Sequence, residues 1–239
     1  MKTFTKLMAA TAVALTMGAT ASQAAIFIST DGVTDLFANV AVDGNGDFSQ
    51  SFSALTALQR GGFESITVDG NNGLAPVVLG SRSVAFNNTG GAANPGITIF
   101  VTQTDLTLAQ AAFFNSSFSF NARKAWSGNA RAFVSATNQK YTGVAAGALA
   151  NFAANSCPDV TCSQSASANS GLIDVSGGLY SVTHAYQVSS NSQLGRGEID
   201  ALTSALAVPE PGTWALMIMG FGGAGAMLRS RRRSNVATA

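Results

Sequence analysis

Charged residues are scarce in this chain of 239 residues, at 10% against about 25% in an ordinary globular protein. The scarcity is uneven, because six of the thirteen basic residues lie near the two ends. Residues 25–207 hold seven basic and eleven acidic residues, a net charge of −4. Nucleic acid binding requires clustered Lys and Arg that neutralise phosphates, so this composition argues against a nucleic acid partner.

Residue types that serve catalysis are also few. The only histidine, His184, lies in an alternating stretch and is predicted to be a packed strand residue. The sequence has no Gly-x-Ser-x-Gly motif, so a hydrolase of the Ser-His-Asp kind lacks its nucleophile turn. Glu64 and Glu198 form no recognisable pair for glycoside hydrolysis. The sequence therefore predicts no catalytic residue, and a secreted carbohydrate-active enzyme is the alternative.

Two cysteines, Cys157 and Cys162, lie close together in the sequence. In an exported protein this spacing favours a local disulfide. So small a closed loop constrains little of the unfolded chain, and the bridge would stabilise the fold by roughly 1 to 2 kcal/mol. A metal site would need a second pair of Cys or His residues, so no metal site is predicted at these cysteines.

The amino terminus has the three parts of a secretory signal peptide. Lys2 and Lys6 supply the positive charge, residues 7–19 form the apolar part, and the small residue Ala24 precedes the cleavage point. The apolar part is shorter than the roughly 20 residues that a membrane span needs. The sequence therefore predicts a signal peptide over residues 1–24, and export of the chain that follows.

An uncharged stretch of 16 residues, 213–228, lies near the carboxyl terminus. As a helix it would be about 24 Å long, which is short for a bilayer core of about 30 Å. Trp214 at one interface and long basic side chains at the other extend its reach. The basic residues that follow are Arg229, Arg231, Arg232 and Arg233. These arginines stay in the cytoplasm by the positive-inside rule, so the sequence predicts a transmembrane helix with the preceding chain exported.

A proline-rich motif precedes this stretch, and its residues are Pro209, Glu210, Pro211, Trp214 and Ala215. With the apolar span and the basic end in this order, residues 208–233 closely resemble the PEP-CTERM sorting signal in its PEPxxWA variant; residues 234–239 follow as a short tail. The resemblance implies that an exosortase recognises residues 209–211. It also implies transient anchoring in the inner membrane, then delivery to the cell surface or the extracellular space. Proteins with this signal are associated with exopolysaccharide and biofilm, so exopolysaccharide is an expected partner.

Residues 25–207, between the two end signals, consist of short alternating stretches separated by turn sequences. The predicted strands are residues 65–68, 76–79, 83–87, 97–104, 113–120, 130–136 and 179–188. Residues 36–42 and 47–52 are predicted to form a hairpin about the turn 43–46. Residues 144–154 favour a short helix, and residues 202–208 a linker into the tail. The pattern predicts an all-β domain, a β-sandwich or jelly roll, followed by one transmembrane helix.

A calcium site is a secondary hypothesis for the predicted turn. Asp43, Asn45 and Asp47 place side-chain oxygens at alternate positions, as at the start of a calcium loop. Phe48 stands where a calcium loop has a glycine, and Ala54 stands where it has a bidentate glutamate. A hairpin turn therefore explains these residues better. The sequence thus predicts a structural or adhesive surface module without a required cofactor. A calcium-dependent module is one alternative, and the Thr-x-Thr triplet at residues 102–104 raises ice binding as another.

Overall fold

The computed structural model describes residues 24–71, 77–88, 94–108, 110–123, 125–141, 150–154, 161–191, 195–207 and 211–236. Most of the predicted signal peptide, residues 1–23, therefore lies outside the described residues. The described strands are β1 (Ile26–Ser29), β2 (Asp47–Ser51), β3 (Ser65–Asn71), β4 (Val77–Asn87), β5 (Gly96–Thr107), β6 (Ala112–Arg123), β7 (Trp126–Ser135), β8 (Ala150–Ala154), β9 (Thr161–Ile173), β10 (Leu179–Ser190) and β11 (Arg196–Ala207). A helix, α1 (Pro211–Val236), follows β11.

These strands form two antiparallel sheets. The five-stranded sheet has the order β1-β5-β10-β7-β8, and the six-stranded sheet has the order β2-β3-β4-β11-β6-β9. From β4 onwards the pairing is nested, because β4 pairs with β11, β5 with β10, β6 with β9 and β7 with β8. This nesting is the strand order of an eight-stranded jelly roll, with β1 added to one sheet and β2 and β3 to the other. The predicted all-β architecture is confirmed.

The inner faces of both sheets share one hydrophobic core. Burial alternates residue by residue along β3, as it does in a strand with one face in a core. Trp126 and Tyr186 enter the core from the five-stranded sheet, and Phe86 and Phe120 enter it from the six-stranded sheet. Burial of one such side chain stabilises a fold by about 1.5 to 3 kcal/mol. Burial of these side chains is therefore the main contribution to the free energy that holds the two sheets together.

A short polar chain crosses this core. Nε2 of His184 on β10 lies 2.7 Å from Oγ1 of Thr203 on β11, and that oxygen lies 2.8 Å from Oγ of Ser116 on β6. The hydroxyl of Tyr186 lies 3.2 Å from Nδ1 of His184. Burial lowers the pKa of His184 to about 3. His184 is thus a neutral, packed strand residue, as predicted, and its ring links one sheet to the other.

Three local predictions need correction. Residues 43–46 form a turn, but β2 pairs with β3, while segment 36–40 hydrogen-bonds to β1. Residues 202–207 are part of β11, which lies in the interior of its sheet, so they are not a linker. Strand β8 occupies the end of the predicted helix at residues 144–154, and the beginning of that segment lies outside the described residues.

The sequence of β11 is misleading because both of its leucines face outwards. Leu202 and Leu206 are 40% and 57% exposed, whereas Ala205 between them is buried. The inner face has room only for small residues where it meets Trp126, since a Cβ on Gly197 would lie 2.7 Å from that ring. A half-buried strand usually has its large apolar residues on the core side and polar residues on the solvent side. Around residues 201–206 the leucines lie on the solvent side and small residues lie on the core side, so the sequence does not show that pattern.

The helix α1 begins after residues 208–210, which lie outside the described part of the chain. Trp214 and Phe221 on this helix are 53% and 76% exposed. Among the described residues, no helix combines the length and the apolar character that a membrane crossing requires. Residues 213–228 are helical as predicted, but their role as a transmembrane span is not confirmed.

We expect the buried histidine to make the fold sensitive to acid. The pKa of His184 is about 3 in the folded chain and about 6.5 in the unfolded chain. The contribution of this residue to the free energy of unfolding is therefore fully present above pH 6.5 and is lost as the pH falls towards 3. Between pH 7 and pH 4 this residue should remove about 3 kcal/mol of unfolding free energy. Denaturant titrations should show that His184→Gln loses correspondingly less over this range. Equal pH dependence in the two proteins would contradict the assignment.

Candidate binding face of the six-stranded sheet

The outer face of the five-stranded sheet is partly covered by loops. Phe100, Phe133 and Ala185 project from this face and pack with Tyr141, which belongs to the loop after β7. Phe100 and Phe133 are only 7% and 4% exposed. The edge of the Phe100 ring meets the Tyr141 ring at a centroid distance of 6.3 Å. A ligand would have to displace this small apolar cluster to reach that part of the sheet.

Asp35 holds the covering loop in place. Its Oδ1 accepts a hydrogen bond of 2.8 Å from the Tyr141 hydroxyl, and its Oδ2 accepts one of 2.5 Å from Nζ of Lys140. Burial raises the pKa of Asp35, but the hydrogen bonds from Lys140 and Tyr141 outweigh burial and keep the pKa below its usual value. Nζ of Lys140 also lies 4.0 Å from the centroid of the Phe27 ring. The covered region is therefore a built part of the fold.

The outer face of the six-stranded sheet carries an open array of small polar side chains instead. Alternate residues of a strand share one face and lie about 6.7 Å apart, and neighbouring strands lie about 4.8 Å apart. The pairing of β9, β6 and β11 sets the outward residues in rows, and these rows are Ser163–Asn121–Glu198, Ser165–Ser119–Asp200, Ser167–Ser117–Leu202 and Asn169–Asn115–Ser204. Hydroxyl and amide groups dominate the array, and its formal charges come from β11.

Two neighbouring depressions on this face, together called the groove here, share two lining residues. The first has a volume of about 400 Å³ and is lined by residues of β3, β4, β6 and β11, including Asn87 and Glu198. The second has a volume of about 340 Å³ and includes Thr161 of β9. Asn121 and Arg196 line both depressions, so the groove crosses five strands. Oδ1 of Asn87 is buried and accepts no hydrogen bond from the described residues.

A half-buried carboxylate, Asp200, lies beside this groove. Its Oδ2 accepts a hydrogen bond of 2.7 Å from Oγ of Ser119, and its Oδ1 is buried without a partner among the described residues. Burial raises the pKa of Asp200; the Ser119 hydrogen bond lowers it in part, and the charge of Glu198 raises it further. Glu198 and Asp200 are alternate residues of one strand, so their Cα atoms lie about 6.7 Å apart on the same face.

The predicted calcium residues form a hydrogen-bonded turn. Oδ1 of Asp43 accepts hydrogen bonds from the backbone N–H groups of Asn45 and Asp47, at 2.8 and 2.9 Å. Oδ1 of Asp47 accepts one of 2.6 Å from the Asn71 amide. Asp43 and Asp47 also line a depression of about 610 Å³ together with Asp69. No cluster of three metal-binding side chains occurs within the described stretches, and the calcium hypothesis stays a prediction.

The remaining sequence-predicted residues lie outside this groove or at its border. Cys162 lines the second depression, while its predicted partner Cys157 lies outside the described residues. Their pairing stays a prediction. In the tail, Pro209 and Glu210 also lie outside the described residues, and α1 begins at Pro211. The sequence analysis did not single out Asn87, Asn121 or Arg196, because only strand pairing brings them together.

The tail matches a known protein family. Residues 207–233 match the model of the PEP-CTERM protein-sorting motif, which confirms the resemblance inferred from the sequence. This motif indicates an exported, membrane-transiting protein that is sorted to the cell surface. The motif implies processing by an exosortase-type sorting enzyme at the membrane, and a β-sandwich precedes the motif in the chain.

Solved structures with some similarity are distant in sequence. TmCBM61 in complex with β-1,4-galactotriose is 9% identical, with 77% of this chain and 88% of that chain covered and a TM-score of 0.33. A cleaved adhesin domain of Lys-gingipain from Porphyromonas gingivalis is 12% identical, with 77% and 91% covered and a TM-score of 0.35. At TM-scores this low, neither similarity supports a conclusion about function. A search of curated proteins found no match.

The Asp200 environment yields a direct test by NMR titration. Replacement of Ser119 by Ala removes the hydrogen bond that stabilises the charged carboxylate, so the pKa of Asp200 should rise further. Ser117→Ala, on the same face of β6 but opposite Leu202, is the matched control and should leave this pKa unchanged. An unchanged pKa in Ser119→Ala would show that the hydrogen bond does not form in solution.

Proposed function

We propose that this protein is a surface-delivered binding module that attaches to exopolysaccharide through the outer face of its six-stranded sheet. The observation that carries the proposal is the position of the sorting motif, which begins at Ala207, the last residue of β11. The same strand contributes Arg196, Glu198 and Asp200 to the groove region and ends where the sorting motif begins. Delivery and binding would thus be properties of one continuous segment.

The proposed delivery begins with the signal peptide at residues 1–24 and ends with the tail. Residues 213–228 would enter the inner membrane as a helix, with Trp214 at the outer interface and the arginines after residue 228 in the cytoplasm. The exosortase would then act at the tail, where residues 209–211 form its recognition segment. Anchoring would be transient, and the sandwich would end at the cell surface or in the extracellular matrix.

The proposed ligand is a neutral polymer rich in hydroxyl groups. Each Ser hydroxyl both donates and accepts hydrogen bonds, and each Asn amide offers two donors and an acceptor, so the array suits sugar hydroxyls. Its repeated rows would contact successive sugar units along a chain. Many weak contacts of this kind add up only when the ligand itself repeats, which favours a polysaccharide over a single sugar.

A carbohydrate-active enzyme is the second candidate, and one observation favours it. Glu198 and Asp200 lie on the same face of β11, and the pKa of Asp200 is raised by its surroundings. Glycoside hydrolysis requires two carboxylates about 5 to 9.5 Å apart, one of them with a raised pKa. In this case, sugar release would accompany binding and would be lost in Asp200→Asn and in Glu198→Gln.

The sorting proposal predicts the fate of the carboxyl terminus. In cells that contain the exosortase, mass spectrometry of the surface or matrix fraction should find a chain that lacks the arginine cluster. In cells without the enzyme, the uncut chain should collect in the inner-membrane fraction, because the tail then stays in the bilayer. A variant that lacks residues 207–233 is the control and should appear as a secreted protein. A full-length chain that never enters the membrane fraction would contradict the proposal.

The binding proposal predicts a loss of affinity in a single-residue variant. Asn121 lines both depressions, so Asn121→Ala should weaken binding to purified exopolysaccharide about two- to tenfold, the cost of one lost hydrogen bond. Gln187→Ala, an exposed amide on the outer face of the other sheet, is the matched control and should bind normally. Equal affinities in isothermal titration would place binding elsewhere. Release of reducing sugar during the titration would favour the second candidate.

A further inference from the structure

The strand β9 forms one edge of the six-stranded sheet, and its sequence does nothing to protect that edge. It is 13 residues long and contains no charged residue and no proline. Among the described strands it pairs with β6 alone, on one side. An edge strand presents a row of unpaired backbone donors and acceptors, and natural proteins usually shorten it, charge it, interrupt it or cover it. A long, uncharged edge strand is therefore a site for pairing with another strand.

The other three described edges show that protection. β1 has four residues, and segment 36–40 hydrogen-bonds along its outer side. β2 has five residues and begins with the charged Asp47. β8 also has five residues. Among the described edge strands, β9 alone is both long and without a charged residue.

Residues 161–169 of β9 are also complementary to themselves. Their pairing with β6 is regular, and the register shifts only beyond Asn169. The sequence around Ser165 is almost the same in both directions: Ser163 and Ser167 flank it on the outer face, and Gln164 and Ala166 on the inner face. An antiparallel pair centred on Ser165 keeps every outward residue opposite an outward residue. No residue of this segment carries a charge, so two copies of it do not repel each other electrostatically.

We propose that two copies of this chain pair through their β9 edges, antiparallel, about a two-fold axis at Ser165. Ser163 of one copy would lie opposite Ser167 of the other, and the two six-stranded sheets would become one continuous sheet. The interface is isologous and closed, since each edge is used once. The arrays of hydroxyl and amide groups on the two outer faces would form one longer surface.

The direction of the strands couples this pairing to the tail. β9 and β11 are each antiparallel to β6, so β11 runs parallel to β9, and the two-fold axis sends the two tails to opposite ends of the paired sheet. Two tails inserted in one bilayer would hold both copies in the same orientation. The antiparallel pair requires opposite orientations, so the two arrangements are incompatible. Two copies anchored in one bilayer therefore cannot pair, whereas copies whose tails lie in separate micelles, or that the sorting enzyme has released, can. This consequence, unlike the pairing itself, rests on the proposed tail insertion.

Cysteine cross-linking of the full chain in detergent micelles tests the pairing. Under mild oxidation, Ser165→Cys should give a covalent dimer with a bond between the two introduced cysteines, because residues directly opposite have Cβ atoms about 4.5 to 5.5 Å apart. Ser117→Cys on β6 is the matched control, since three strand spacings place its two copies at least about 14 Å apart. Equal dimer yields for the two variants, or no dimer for Ser165→Cys, would overturn the proposal.

A charge variant measures the same contact at equilibrium. Ser165→Lys places two like charges opposite each other, so the dissociation constant from analytical ultracentrifugation should rise roughly tenfold. Ser117→Lys adds the same charge to the same face one strand further in and should leave the constant unchanged. Unchanged Tm values would show that both variants fold. A wild-type chain that sediments as a monomer at every concentration would also overturn the proposal, whatever the outcome for sorting or for polysaccharide.

Discussion

The burial of two sheet faces against each other is the constraint on which the rest of this structure depends. It fixes which side of every strand is available to solvent, because alternate residues must face either the shared core or the outside. The link between His184 and Thr203 lies inside this core and satisfies polar groups that would otherwise be costly to bury. A shift of either strand by one residue would break this link and would also turn the outer residues inwards.

The strand β11 connects the core, the groove and the tail. Its inner residues Ile199 and Ala201 pack in the core, and its outer residues Glu198 and Asp200 lie on the open face. Its last residue, Ala207, is the first residue of the sorting motif. The sorting motif therefore begins where the described strand ends.

Sequence reasoning predicted the tail and the all-β class, but not the groove. The tail is predictable because its motif, apolar stretch and arginines are contiguous. Strands such as β5 and β10 are predictable because their core-facing residues are large and apolar. β9 alternates Ser with Ala, and β11 turns Leu202 and Leu206 outwards, so neither has the usual pattern. The groove depends on how β3, β4, β11, β6 and β9 are ordered, which no local pattern determines.

Amide hydrogen exchange of the full-length chain tests the central role of β11 most directly. A strand hydrogen-bonded on both sides and packed on a shared core opens only when the whole domain unfolds. We expect the amides of residues 197–206 to exchange as slowly as those of β10, up to the start of the sorting motif. Fast exchange over residues 202–206 would mean that the strand ends early, and it would contradict the joined core, groove and tail described above.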